Sequence, residues 1–424
     1  MSESETGMMH VKTKVVVSCV VIFLTAASLS LYLPVLAPLF LGSGVRSIVA
    51  DSISSQTRQL LFAAAITAPQ IFSAIGAPLC GAFSDRYGRK RCLVAALSGA
   101  AIAMSLCTVS IVLHQGLMLI AALALLGLVD GSGVIVQAGL LEETPPEHHA
   151  SNVGRLTACS VLGVVSGPLI GGLCSDERIV TFSTYYLPFL LTSGLFILAI
   201  GIVVVCYTEG SRLQSAGRAP GKHYLNELVD TIRPHRIRRF AYLFFLLEVV
   251  IACFYERLPF LLQQNNARPS SIGFYGAYIA ALIALTCALI VPVISSCMPV
   301  RSSMTAAFFL LAAAGVLLFR QPTIPRLWFS GIPFGVGAGV IYCLSIGRIT
   351  EWTDPSDQGK LAGITISISA LAFLVAGLAM GSSVGSEGLS SAMIPVVAVI
   401  GICVSGAGGS WRQHSPEPAP SPLA

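Results

Sequence analysis

The sequence predicts an all-α integral membrane protein, with 12 transmembrane helices forming two pseudo-symmetric six-helix bundles. Three observations carry that reading: an apolar excess, twelve apolar runs of helical length, and short motifs that recur between the halves. Of 424 residues, 54% are hydrophobic and 11% charged, with a mean hydropathy of +0.80. A soluble domain carries about 25% charged residues. Ordinary cytosolic enzymes, nucleic-acid binders and disordered proteins are therefore set aside.

The runs fall at 15–41, 59–83, 92–113, 117–141, 153–173, 181–207, 241–264, 272–296, 303–319, 327–347, 361–382 and 389–410. A helix needs about 20 apolar residues to cross a bilayer, and barrel strands would alternate instead. Lys12 and Lys14 ahead of the first run suggest a signal peptide, but the run far exceeds the about 7–15 residues of a signal core. It is read as a retained first span. Connections are short except for a Gly/Pro-containing basic loop with Arg212, Arg218, Lys222, Arg233, Arg236, Arg238 and Arg239. The expected layout is an N-terminus 1–14, a first bundle 15–207, a central loop 208–240, a second bundle 241–410 and a disordered tail 411–424.

The net charge of +5 follows the positive-inside rule rather than a polyanionic partner. With the N-terminus cytoplasmic, eighteen of the 25 Lys and Arg residues share its side and seven lie opposite. Both termini and the central loop are thus expected in the cytoplasm. The twelve cysteines lie mostly inside apolar runs with no CxxC pair, and are read as single buried thiols. The seven histidines lie outside the runs or at their edges, which argues against an intramembrane metal cluster. No cofactor is expected.

The halves echo one another. Leu33-Pro34-Val35-Leu36 in span 1 matches Leu258-Pro259-Phe260-Leu261 in span 7, and Gly131-Ser132-Gly133-Val134-Ile135 in span 4 matches Gly337-Ala338-Gly339-Val340-Ile341 in span 10. Such duplication is typical of transporters that rock two bundles about a central site.

The most specific segment joins spans 2 and 3: Gly81-Ala82-Phe83-Ser84-Asp85-Arg86-Tyr87-Gly88-Arg89-Lys90-Arg91. Gly88 permits a tight reversal, and the basic residues hold the loop on the inner side. Here the chain resembles the major facilitator superfamily, whose loop at this place carries a glycine and then Asp-Arg-x-Gly-Arg-Arg/Lys. The resemblance implies that Asp85 locks one conformation against the positive end of span 11, near Gly359-Lys360. Span 5 carries Gly154, Gly163, Gly167-Pro168 and Gly171-Gly172. Glycines 163, 167 and 171 share one helix face, so a neighbouring backbone can approach closely. The full pattern resembles the antiporter motif of proton-coupled exporters of the tetracycline and multidrug type.

There are departures. The arginine that such exporters carry in span 4 is replaced by Leu123 or Gly127, and the loop between spans 8 and 9 keeps only Arg301 of the second motif copy. Intramembrane acids are costly and functional by default. Asp130 in span 4 and Glu248 in span 7 are accordingly the candidate proton-carrying groups. Glu256 and Arg257 read as an interfacial pair or surface gate. Tyr32, Gln70, Gln137, Tyr255, Tyr278 and Tyr342 are candidate cavity residues, with Tyr275 at similar depth.

The resulting expectation is a secondary transporter of a small organic solute that works by alternating access, with proton-coupled efflux favoured. A proton symporter or facilitator for uptake is the alternative, and a non-translocating sensor the alternative of another class. No nucleophile–base pair, metal-ligand spacing or phosphate-cradling loop suggests an enzyme. The expected partners are the solute, protons and the lipid of a bacterial inner membrane, with no nucleic acid, and the working unit is a monomer.

Overall fold

A computed structural model describes residues 3–42, 47–50, 52–180, 185–207, 234–265, 267–319, 323–352, 358–382 and 387–406, which are helical with short turns and contain no strand. Span 1 is α1 (Glu3–Leu31) followed by α2 (Leu33–Leu41). Next come α3 (Ser55–Tyr87) and α4 (Arg89–Val112), then span 4 as α5 (Gly116–Leu128) and α6 (Ser132–Glu143), and finally α7 (Pro146–Cys174) and α8 (Leu187–Cys206). The second half opens with α9 (His235–Gln264) and α10 (Pro269–Leu285), whose π turn (Thr286–Ile290) leads into α11 (Val291–Cys297). It ends with α12 (Val300–Leu317), α13 (Ile324–Glu351), α14 (Gln358–Ser382) and α15 (Glu387–Gly406).

Among the described residues, nine helical units are long and apolar enough to cross a membrane. The other three expected positions hold α9, which carries Glu248, Glu256 and Arg257, and the shorter apolar stretches Ile364–Ala379 and Ala392–Gly406. The interruptions have local causes. Pro34 has no N–H to return to Ser30, so the chain turns at Tyr32 and Val35 N–H bonds to the Tyr32 carbonyl instead. Span 4 breaks at Val129–Gly131, just where Asp130 sits. In span 8, Pro292 cannot donate, and Val291 N–H reaches back five residues to Thr286 O, the geometry of a π turn.

The packing is duplicated. In the first half α1 lies against α7 and α8, α4 against α8, and α5 against both α3 and α4. In the second half α9 lies against α14 and α15, α12 against α15, and α13 against both α10 and α12. Each half has its own apolar core, one drawn from residues 15–207 and the other from residues 237–398. The halves meet along two symmetry-related seams, α7 on α10 and α3 on α14, and α2 adds contacts to α9 and α10.

Among the described residues, the named side-chain and glycine contacts between the halves fall toward one end. We call the end that carries residues 84–91, Arg155, Arg301 and Arg348 the basic end. The atomic contacts between halves lie toward the opposite end, where Asp176 meets Ser270 and Gly172 meets Gly273. Toward the basic end α11 packs on α12, α13 and the π turn of its own half. A Cβ on Gly154 there would meet nothing within 4 Å.

The described cysteines are free, but they are not all single. Cys19 stands within hydrogen-bonding reach of Cys159, and Cys287 of Cys343. Helix contacts bring together thiols far apart in sequence.

Candidate functional site

Gly88 joins α3 to α4 with no intervening residue and adopts φ 98°, a region closed to most side chains. One turn apart across it, the Asp85 carboxylate meets the Arg89 guanidinium at 2.5 Å. The other arm of Arg89 reaches Glu142 at 2.5 Å, and Arg89 also donates to the Ser84 hydroxyl. Lys90 Nζ donates to Val204 O at 2.8 Å, Arg86 lies over the Tyr87 ring at 5.4 Å, and a Cβ on Gly81 would meet Val134 at an ordinary 3.7 Å. Beside them, buried Lys14 pairs with Glu143 and sits 4.9 Å above the Tyr207 ring. The loop motif is therefore stitched to the ends of spans 4 and 6 of its own half.

The expected partner of Asp85 across the halves is the start of α14. The Gly359 and Lys360 side-chain positions lie outside the described residues. The helix register still bears on the pairing. Thr67 of α3 abuts Gly377 of α14, where an added Cβ would lie 2.8 Å from the Thr67 hydroxyl. The helices run in opposite directions, so eighteen residues along each brings Asp85 level with Gly359.

The span 5 glycines serve two seams. Against α1, a Cβ on Gly163 would lie 2.6 Å from Phe23 O, and Gly167 and Gly171 face the Ala27 and Leu31 carbonyls. Against the other half, a Cβ on Gly172 would lie 2.7 Å from Pro269 O and 2.9 Å from Gly273 Cα, and the Pro168 ring rests on Gly276. Just beyond this seam, Ser270 donates to Asp176 Oδ2 at 2.5 Å and Arg178 N–H donates to Oδ1 at 3.1 Å. Burial alone would raise the Asp176 carboxyl, but these two donors and the nearby Arg268 and Arg178 guanidiniums hold it below its ordinary value.

Asp130 occupies the break in span 4 and accepts from the Ser73 hydroxyl of α3 at 3.2 Å. Tyr32 lies within electrostatic reach of it, but is 4% exposed and packs 5.4 Å from Phe189. Glu248 is 7% exposed on α9, with Ser369 of α14 in hydrogen-bonding reach and both Tyr255 and Tyr342 in electrostatic reach. The structure thus gathers two of the candidate tyrosines around one acid. Gln70 and Gln137 are exposed on α3 and α6. Tyr278 instead joins a cluster with Tyr275 and Trp328, its hydroxyl 3.4 Å from Trp328 O.

Glu256 and Arg257 are not at a surface: they are 3% and 4% exposed. The Glu256 carboxyl accepts from Thr67 across the halves at 3.4 Å, and Arg257 lies 5.2 Å over the Phe260 ring. Nothing in the local sequence signals this contact, which joins residues 189 apart. The internal repeat does signal it. The offset of 225 residues between Leu33 and Leu258 places Glu248 and Glu256 at the positions of Phe23 and Leu31. The offset of 206 between Gly131 and Gly337 places Ser369 and Gly377 at those of Gly163 and Gly171. In space, Phe23 meets Gly163 and Leu31 meets Gly171, just as Glu248 meets Ser369 and Glu256 meets Gly377. Both acids therefore replace apolar residues at equivalent helix contacts.

Comparison with known proteins agrees with this architecture. The model of the Major Facilitator Superfamily matches residues 18–319. Multidrug resistance protein MdtG of Enterobacter lignolyticus is 35% identical over 178 residues, 40% of each chain, and its counterpart in Salmonella choleraesuis is 35% identical over 178 residues, 41% of that protein. The alignment thus spans less than half the length of these relatives. Among solved structures, a D-xylose–proton symporter superposes with TM-score 0.71 at 13% identity, covering 94% of this chain and 97% of that one. The human organic anion transporter MFSD10 (TETRAN) gives 0.67 at 17% identity, covering 93% and 99%. These two likenesses speak to the fold alone, and the family model spans well over half of the sequence: this chain belongs to the major facilitator superfamily.

Proposed function

We propose that this protein is a secondary active transporter that exports a small organic solute in exchange for protons, as a monomer, from a bacterial cytoplasm. The observation that carries the reading is Glu248, an acid buried among α9, α13 and α14 where the matching position of the first half is Phe23. An intramembrane carboxyl that packing does not require is retained for what it binds. Glu248 or Asp130 holds the transported proton, and Tyr255 and Tyr342 beside Glu248 offer aromatic faces and hydroxyls to an amphipathic solute. The relatives named as multidrug resistance proteins support the solute class.

The positive-inside count assigns the basic end to the cytoplasm. Among the described residues the halves touch toward the opposite end, which supports a conformation open toward the cytoplasm, with Asp85 resting on Arg89. When the cytoplasmic ends close, Asp85 exchanges that partner for the start of α14, with which it is level. The amide N–H groups there favour an anion.

The test is proton movement in proteoliposomes with a pH dye and a panel of amphipathic solutes. Solute-dependent proton flux opposite to the solute, lost in Asp130→Asn or Glu248→Gln, is the expected result. Solute flux without proton flux would overturn proton coupling and leave a facilitator, the reading that Leu123 in place of the usual arginine favours.

A further inference from the structure

Besides Asp130 and Glu248, the membrane-spanning helix α9 carries a second buried acid, Glu256, with no part in the scheme above. Glu256 is 3% exposed at the junction of α9, α14 and α3, where its carboxyl touches the opposite half. Its Oε1 accepts from Thr67, while Oε2 has no hydrogen-bond partner among the described residues. Packing does not call for it, since Leu31 fills the equivalent contact in the first half. The groups around it bring little compensating charge. Arg257 is the next residue on α9 and lies over Phe260. Buried Cys253, one turn back on the same helix, lies in electrostatic reach of it. On α3, Thr67 is the partner, and Arg58 is held by the Gly42, Val49 and Ala50 carbonyls. Neither α2 nor the part of α14 whose side chains are described (Ile364–Ala379) carries an ionisable residue, Arg268 of α10 serves Asp176, and Arg326 of α13 bonds to Val316.

A carboxylate closed into that junction would keep one bare oxygen and an uncompensated charge. A neutral carboxyl costs less there, since it carries no charge while its Oε1 still accepts the Thr67 bond. When the halves part at the opposite end, the same carboxyl meets water and the charged form becomes tolerable. A group with different surroundings in two conformations links them to its protons by necessity.

We propose that Glu256 is a proton-operated latch between the halves: it takes one proton from the solution at the opposite end, and the neutral carboxyl then closes on Thr67. The inference rests on the reading that the chain alternates access. It adds a proton site distinct from the carrier at Asp130 or Glu248, and it makes closure itself proton-dependent. Export by antiport needs such a device, because the protein must not close empty-handed on the side from which protons enter.

The test uses full-length protein in lipid nanodiscs with no solute or gradient. Spin labels are placed through noncanonical ketone side chains at Gln115 and Thr323, exposed at the opposite end in either half, leaving the cysteines untouched. Distances are read from about pH 5 to about pH 9, where buried carboxyls titrate. In the wild type the ratio of open to closed forms is expected to rise by up to about tenfold per pH unit through the transition, as for a single proton. Glu256→Gln should stay closed at every pH, whereas Glu256→Asp should keep the dependence with a displaced midpoint. A pH-insensitive wild type, or Glu256→Gln titrating like it, would overturn the proposal. Because no transport is read, the two proposals fail separately. Titration through Glu256 without proton-coupled flux sinks export and keeps the latch, and the reverse result sinks the latch and keeps export.

Discussion

Gly172→Ala tests whether the α7–α10 seam is a moving joint or fixed packing. The new Cβ would lie 2.7 Å from Pro269 O, 2.9 Å from Gly273 Cα and 3.2 Å from Gly273 N, where ordinary contact begins at 3.4 Å. All three atoms are backbone, so no side chain can rotate away, and the seam must widen by about 0.7 Å at Pro269. Overpacking of that kind costs about 1–3 kcal/mol. Both glycines lie in terminal turns at the opposite end, so the clash exists only while the halves are together there. The alternative conformation escapes it, and the loss of global stability is capped by the gap between the two states. The expected outcome is a shift of about 5- to 150-fold toward the form open at that end, with little change in melting temperature.

Gly163→Ala is the control. Its Cβ would lie 2.6 Å from Phe23 O and 2.8 Å from Ala27 N, a similar overlap inside one half. No rocking motion relieves it, so the same cost should appear as lost thermal stability with the conformational balance unchanged. Distances between labels at Gln115 and Thr323 and melting curves in detergent separate the two effects. If Gly172→Ala melted as early as Gly163→Ala while the distances stayed put, the seam would be fixed packing and the two-state reasoning would fail.

Three further outcomes follow from side-chain geometry. Arg89→Lys keeps the charge but cannot reach Asp85, Glu142 and Ser84 at once, and should cost about 1 kcal/mol because Glu142 and Asp85 are partly exposed; an unchanged melting curve would refute the fork. Lys14→Met should cost more, about 3 kcal/mol, since it leaves Glu143 without its buried partner; the reading is the fraction of folded protein recovered after graded heating. Asp176 sits below its ordinary value, so the stability it lends the opposite end is complete above about pH 4 and is lost as pH falls through the folded value. Asp176→Asn should abolish that acid-side loss in a pH-dependent accessibility assay, and an unaltered acid limb would show that another carboxylate is responsible.

Much of the fold is legible because a bilayer imposes its own length and polarity on each segment. Composition alone yields membrane helices, and Gly88 reveals its reversal because few other residues accept φ 98°. The glycines of span 5 announce close approach, though not that Gly172 serves a different neighbour from Gly163, since helix partners are a tertiary fact. The place of Glu256 is hidden for the same reason. Nearness to a helix end suggests an interface, and only the fold brings Thr67 across to bury it. The pairs Cys19–Cys159 and Cys287–Cys343, which look like unrelated single thiols in the sequence, are hidden likewise.

The duplication turns this gap into an argument about mechanism. Two bundles with one packing scheme supply two equivalent sets of helix contacts, and positions that obey the repeat are scaffold. Asp130 faces Val336 under the offset of 206, and Glu248 and Glu256 face Phe23 and Leu31 under that of 225. Asp130, Glu248 and Glu256 are thus each present in one half only. A perfectly symmetric pair of bundles would have equal inward- and outward-open forms, and protons would shift neither. With acids in one copy of each contact, two alternating conformations would bury different numbers of carboxyls, and under the proposed function that inequality would let a proton gradient drive the exchange between them.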